Sequence, residues 1–100
     1  MPDMSISVSH RLSQKEAAER IKHLIERLRS QFGDHASNVQ ESWQGYTGTY
    51  SFEVMGFAVS GKLQVGESNV TMEGKFPFAA LPFKGRIEKR VRENLEELLA

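Results

Sequence analysis

The stretch from Tyr46 to Phe76 constrains this chain more than any other. Tyr46, Gly48, Tyr50, Phe52 and Val54 alternate with Thr47, Thr49, Ser51, Glu53 and Met55, so one face is aromatic and the other mostly hydroxylated. Gly56 marks a reversal, after which Phe57, Val59, Gly61, Leu63 and Val65 oppose Ala58, Ser60, Lys62 and Gln64. A turn at Gly66–Asn69 then leads to Val70, Met72, Gly74 and Phe76 in the same rhythm. A period of two with one apolar face is the pattern of a half-buried strand, and short turns between such runs join neighbours as hairpins. Three consecutive antiparallel strands are therefore expected, with one wet face and one that must be covered.

The flanking segments supply that cover. Met4, Ile6, Val8 and His10 alternate with Ser5, Ser7 and Ser9, which predicts a first strand. Ser13 and Glu16 have the spacing of a capping box, with Leu12 placed to staple onto Ala17. Ala17, Ala18, Ile21, Leu24, Ile25, Leu28 and Phe32 make one apolar stripe, so a single helix is expected to run to Gly33, whose freedom at positive φ suits its end. Gly33 to Asn38 reads as a polar loop, Val39 to Trp43 as a short strand, and Gln44-Gly45 as its turn. Phe83, Ile87, Val91, Leu95, Leu98 and Leu99 predict a last helix over about residues 82–99, with Pro82 in its first turn.

The expected fold class is α+β, in the order β-α-β-β-β-β-α, with both helices on one face of a five-stranded antiparallel sheet. Hairpin connections order strands two to five as a meander and leave the first strand to pair beside the fifth. That arrangement is similar to TATA-binding-protein-like and minimal Bet v 1-like folds. One hundred residues suit one such domain, residues 1–100.

Charge and residue types narrow the chemistry. Thirteen Lys and Arg balance thirteen Asp and Glu, so no net field draws the chain to a polyanion. The expected wet face carries Ser5, Ser7, Thr47, Thr49, Ser51, Glu53, Ser60, Lys62, Gln64, Thr71, Glu73 and Lys75, with no aromatic to stack a base. Nucleic acid is therefore not an expected partner, whereas this hydroxyl-rich face is a candidate homodimer surface. With no cysteine, disulfides and thiolate chemistry drop out. No run approaches the roughly 18 apolar residues of a membrane span, nor has the start of the chain a signal-peptide pattern, so a cytoplasmic location is expected. His10, His23 and His35 share no ligand spacing and no phosphate loop or nucleophile elbow occurs, so no catalytic residue, metal or cofactor is expected.

Two regions remain as candidate sites. Residues 76–83 form an uncharged run with three phenylalanines, expected to fold under the last helix as core; exposed, its Phe78, Leu81 and Phe83 would make a contact surface. Lys84, Arg86, Lys89 and Arg90 crowd the start of the helix that follows, where the helix dipole disfavours cations. Pairs at i, i+4, Glu88 with Arg92, Lys89 with Glu93 and Arg92 with Glu96, are expected to offset part of that cost. The second region is aromatic: Trp43, Tyr46, Tyr50 and Phe52, with Gly48, Gly61 and Gly74, could border an apolar ligand pocket, although close packing of helix on sheet is the expectation.

Several short segments together resemble one family. Ile6-Ser7-Val8-Ser9-His10-Arg11-Leu12-Ser13 with Glu16-Ala17, Trp43 with Gly45, Gly56-Phe57 through Gly61-Lys62-Leu63-Gln64-Val65, and Leu81-Pro82-Phe83-Lys84-Gly85-Arg86-Ile87-Glu88 are similar to the polyhydroxyalkanoic acid system proteins. The resemblance spans nearly the whole length. It implies a bacterial accessory protein encoded with genes for making or using polyhydroxyalkanoate storage polyester, in some cases located at the granule surface, and it brings no catalytic residues with it. In that setting Phe78, Leu81, Phe83, Lys84, Arg86, Lys89 and Arg90 are expected to contact the granule or granule-associated proteins. A small carrier of hydroxyacyl chains, built on Trp43, Tyr46, Tyr50 and Phe52, is the alternative.

Overall fold

The structure, a computed structural model, describes residues 3–32, 36–54 and 56–100. Its strands are β1 (Asp3–Ser9), β2 (Ala36–Gln44), β3 (Thr47–Val54), β4 (Phe57–Val65) and β5 (Asn69–Lys75). Its helices are α1 (Gln14–Ile21), α2 (Leu24–Phe32) and α3 (Lys84–Leu99), the last preceded by a 3-10 helix over Phe78–Phe83. The five strands lie in the order β1-β5-β4-β3-β2, every neighbouring pair antiparallel. This is the α+β sheet that alternation and hairpin connectivity predict. The inner face presents Met4, Ile6, Val8, Leu63, Val65, Val70 and Met72, all buried beneath Ala17, Ala18, Ile21, Leu24 and Leu28 of the first helices and Val91, Leu95 and Leu99 of α3.

The expected first helix is divided. Ser13 caps α1 by accepting from the Glu16 N–H at 3.1 Å, while the Glu16 carboxylate turns to Arg20 at 3.0 Å instead of reaching back. At the other end Lys22 N–H bonds Ala18 O, but His23 N–H bonds Arg20 O, so the ladder tightens from i−4 to i−3 before α2 begins. The apolar stripe crosses this break undisturbed, which is why its spacing does not reveal it. The proposed stop at Gly33, and His35, lie outside the described residues, as does Met55.

Two other boundaries differ from expectation. β2 starts at Ala36, inside the stretch that reads as polar loop, because edge pairing with β3 is made by backbone groups and needs no apolar side chain. A bulge between Ser37 and Gln40, with Asn38 at φ 52°, takes up the mismatch. Pro82 lies inside the 3-10 helix, so α3 starts at Lys84 with no side-chain cap.

Polar contacts lock the layers together. His10, which ends the alternation begun by Met4, Ile6 and Val8, is buried: its Nδ1 accepts from the Leu12 N–H at 3.2 Å, which leaves Nε2 to donate to Gly66 O at 3.0 Å. It ties the end of β1 to the β4–β5 turn and is a structural residue. Asn94 sits in the α3 core stripe and exchanges two hydrogen bonds of 3.0 Å with Gln31 of α2, with a third to Arg90 O at 2.7 Å. Arg20 donates to Leu98 O and Ala100 O, and Arg27 pairs with Glu97. These arginines of α1 and α2 answer the acidic end of α3. Among the described residues the ion pair within α3 is Lys84 with Glu88 at 3.7 Å, and the three expected pairs are not formed; Arg92 instead donates to Ser7 O of β1 at 3.4 Å.

Candidate functional site

The 3-10 geometry decides what the apolar run before α3 does. With three residues per turn, side chains three apart stack on one side. Ala80 is buried and Phe83, on its side, leans towards Phe57, the ring centroids 6.3 Å apart. Phe78 and Leu81 share another side and stand out, 69 % and 48 % exposed. The run is therefore not all core: Phe76 and Ala80 are buried, and Phe78, Leu81 and Phe83 are the part left outside. Arg86, Lys89 and Arg90 are exposed on the following helix turns and Lys84 is half-buried. The structure thus brings the apolar and basic candidates onto one end of the molecule.

At the same end the helices do not close down on the sheet. A cavity of about 230 Å³ lies between the inner face of β3 and β4 and helices α2 and α3, against the expectation of close packing. Ile25 and Leu28 form its α2 wall, Ile87 and Val91 its α3 wall, and Val59 and Phe52 its floor. Phe57, Phe83 and Arg86 border it as well. Its floor is low because Gly61 and Gly74 sit beside each other in register, in one row with Tyr50 of β3 and Met4 of β1. Neither glycine is replaceable by a larger residue without movement: a Cβ at Gly61 would stand 2.9 Å from Glu73 O, and one at Gly74 would stand 3.1 Å from the Met4 methyl.

Tyr50 lines this cavity and is 4 % exposed. Its hydroxyl is the one buried side-chain polar atom without a hydrogen-bond partner among the described residues. Such an orphan costs about 1–3 kcal/mol. Burial pushes the phenol above the ordinary tyrosine range, and the Glu41 carboxylate, on the residue directly opposite in register, adds to the shift. Tyr50 is thus a neutral hydroxyl with an unused donor.

The other aromatic candidates surround Tyr50 without all reaching the cavity. Trp43 meets Tyr50 edge to face at 6.3 Å, with its indole N–H donating to Glu41 at 3.2 Å and the Lys22 ammonium 5.5 Å from its ring. Gly48 makes room for it, since a Cβ there would fall 2.7 Å from the indole. Phe52 borders the cavity, and Tyr46 is exposed in the β2–β3 turn. Pattern alone singled out Trp43, Tyr50 and Phe52; it missed Ile25, Ile87 and Arg86 as their neighbours, although Ile25 and Ile87 were legible as core-facing helix positions.

Among the described residues no group of three His, Asp or Glu side chains is placed to hold a metal, and no helix is long and apolar enough to cross a membrane. The crystal structure of the di-domain ARO/CYC BexL from the BE-7585A biosynthetic pathway is similar at 7 % identity and a TM-score of 0.49, over 98 % of this chain and 50 % of that one. This chain thus spans about half that protein's length. None of the curated proteins matches the sequence. One family does match, over residues 4–99, and carries the description "Putative polyhydroxyalkanoic acid system protein". The chain belongs to the polyhydroxyalkanoic acid system protein family.

Proposed function

We propose that the protein is a non-catalytic accessory component of the bacterial polyhydroxyalkanoate storage system, working in the cytoplasm at the granule surface. The observation that carries this reading is the outward projection of Phe78 and Leu81 from a short rigid helix. A polyester surface offers methylene groups and ester carbonyls. Apolar side chains gain by burial against the first, at about 1.5–3 kcal/mol for a fully buried Phe or Leu, and cationic donors bond the second. Phe78, Leu81 and Phe83 supply the apolar contact, and Lys84, Arg86, Lys89 and Arg90 the donors. The family membership supports the choice of polymer.

Sedimentation with clean polyhydroxyalkanoate particles tests it. Wild-type protein is expected to bind saturably, and the double variant Phe78→Ser, Leu81→Ser to lose most of that binding with an unchanged melting temperature, because neither side chain is core. Equal sedimentation of the two proteins, or none by the wild type, refutes the reading.

A further inference from the structure

We infer that the cavity under α2 and α3 is a binding site for a medium-chain fatty acid, which enters tail first and leaves its carboxylate at the mouth on Arg86. The inference goes beyond granule docking and does not depend on it. The walls are almost wholly apolar: Ile25, Leu28, Val59, Ile87 and Val91 give water nothing to bond, so they call for a hydrocarbon chain. Ile25 and Ile87 stay half-buried although both pack against the core, so a ligand has hydrocarbon left to cover. Burial also gives the cavity a direction. Met4 and Met72 are buried at the glycine row, whereas Phe57 is half-buried and Phe83 exposed at the other end. The mouth is therefore beside Phe57 and Phe83, whose ring centroids lie 6.3 Å apart.

The charge at that mouth specifies the head of the ligand. Arg86 borders the cavity at the Phe83 end, exposed and without an ion pair among the described residues. Lys84 beside it is engaged by Glu88 at 3.7 Å. A guanidinium at the rim of an apolar space selects a chain that ends in a planar anion, since a carboxylate accepts two parallel bonds from it. Shape and volume specify the tail. Phe57 and Gly61 both border the cavity and are four residues apart on β4, about 13 Å at the rise of a strand, so the space runs lengthwise along the sheet. A cavity of about 150 Å³ takes benzene, so by proportion 230 Å³ takes about nine non-hydrogen atoms, the tail of an acid of about eight to ten carbons. Gly61 and Gly74 leave the far floor bare of side chains for the end of that tail.

The experiment is isothermal titration calorimetry of the purified chain with the saturated acids from hexanoate to tetradecanoate, each below its micelle concentration, and with methyl octanoate. It is repeated on Arg86→Gln, on the cavity-filling variant Val59→Phe, and on the double variant Phe78→Ser, Leu81→Ser, each checked for folding by thermal melting. Methyl NMR locates the ligand. Wild type is expected to bind octanoate saturably, with shifts at the Val59, Ile87 and Val91 methyls, and about 2- to 5-fold more tightly than its methyl ester. Affinity is expected to rise about 3- to 4-fold per methylene up to about ten carbons and to level off beyond. Arg86→Gln is expected to erase the preference for the acid while keeping the affinity for the ester, Val59→Phe to abolish both, and the double variant to leave both unchanged. Absence of saturable binding overturns the proposal, as do equal affinities for acid and ester in the wild type, or affinity that climbs unchecked to tetradecanoate. Undiminished binding by a folded Val59→Phe, or lost binding by the folded double variant, overturns it too. Should Val59→Phe fail to fold, the length limit and the methyl shifts still decide. Octanoate binding by a protein that does not sediment with polymer leaves this site standing while the granule reading falls, and the reverse result does the opposite.

Discussion

Replacing Tyr50 by Phe removes one oxygen and leaves the ring in place. In most buried tyrosines that deletion costs stability, because the hydroxyl has a partner that is left behind. Here the hydroxyl has none among the described residues, so the folded state carries a desolvation cost of about 1–3 kcal/mol that the unfolded chain does not. Phe keeps the edge-to-face contact with Trp43 and the packing over the cavity, and Glu41 is relieved of nothing but a neutral neighbour. The expected result is a gain in stability of about 1 kcal/mol or more in the absence of ligand. For a domain of about this size each kcal/mol raises the melting temperature by about 4–8 °C. Differential scanning calorimetry and urea unfolding of the two proteins read the difference directly. A Tyr50→Phe variant that melts lower than wild type would refute the reasoning, because it would mean the hydroxyl is already well bonded in the free protein.

Other perturbations test the framework around the site. Since burial raises the Tyr50 phenol above its unfolded value near pH 10, the unfolded state sheds that proton first, and stability is complete below about pH 10 and falls as pH rises beyond it; urea midpoints against pH are expected to fall less steeply for Tyr50→Phe. Gly48→Ala places a methyl group against the Trp43 indole and is expected to cost about 1–3 kcal/mol with a shifted tryptophan emission. Asn94→Ala removes the paired amide between α2 and α3 and is expected to lower stability by about 1–2 kcal/mol in urea unfolding, the exposed Gln31 turning to water. Arg20→Met is expected to loosen the last turn of α3, seen as faster amide exchange near Leu98 and little change elsewhere.

The sheet was legible because side chains on a strand alternate, and Tyr46 to Phe76 alternate with few lapses. Hairpin turns then left little freedom in strand order. The helices were legible as stripes but not in their breaks: Leu24, Ile25 and Leu28 continue the stripe of Ala17 and Ile21 whether or not the ladder tightens at His23. Asn94 could have been noticed as a polar residue between Val91 and Leu95, where a core position is due. The direction of Phe78 and Leu81 could not, since hydrophobicity says nothing about which side of a 3-10 turn meets the sheet. Likewise Gly61 and Gly74 were visible as small inner-face residues, but whether α3 sinks towards them or stands off is settled by the bulk of Ile87, Val91 and Phe83 in three dimensions. Residue type groups Trp43, Tyr46, Tyr50 and Phe52 as one aromatic cluster, and only the register shows that Tyr46 belongs to a turn and Tyr50 to the glycine row.

The two margins of the sheet are guarded by different means. Along β2 the bulge at Ser37 to Gln40 and the left-handed Asn38 interrupt the even spacing of free backbone groups that an incoming strand would need. Along β1 the Arg92 guanidinium occupies Ser7 O. Both devices work against lateral growth of the sheet by strand addition, which matters for a protein proposed to crowd onto a particle surface. Neighbours packed side by side there would meet margins that discourage fusion into a continuous β-ribbon.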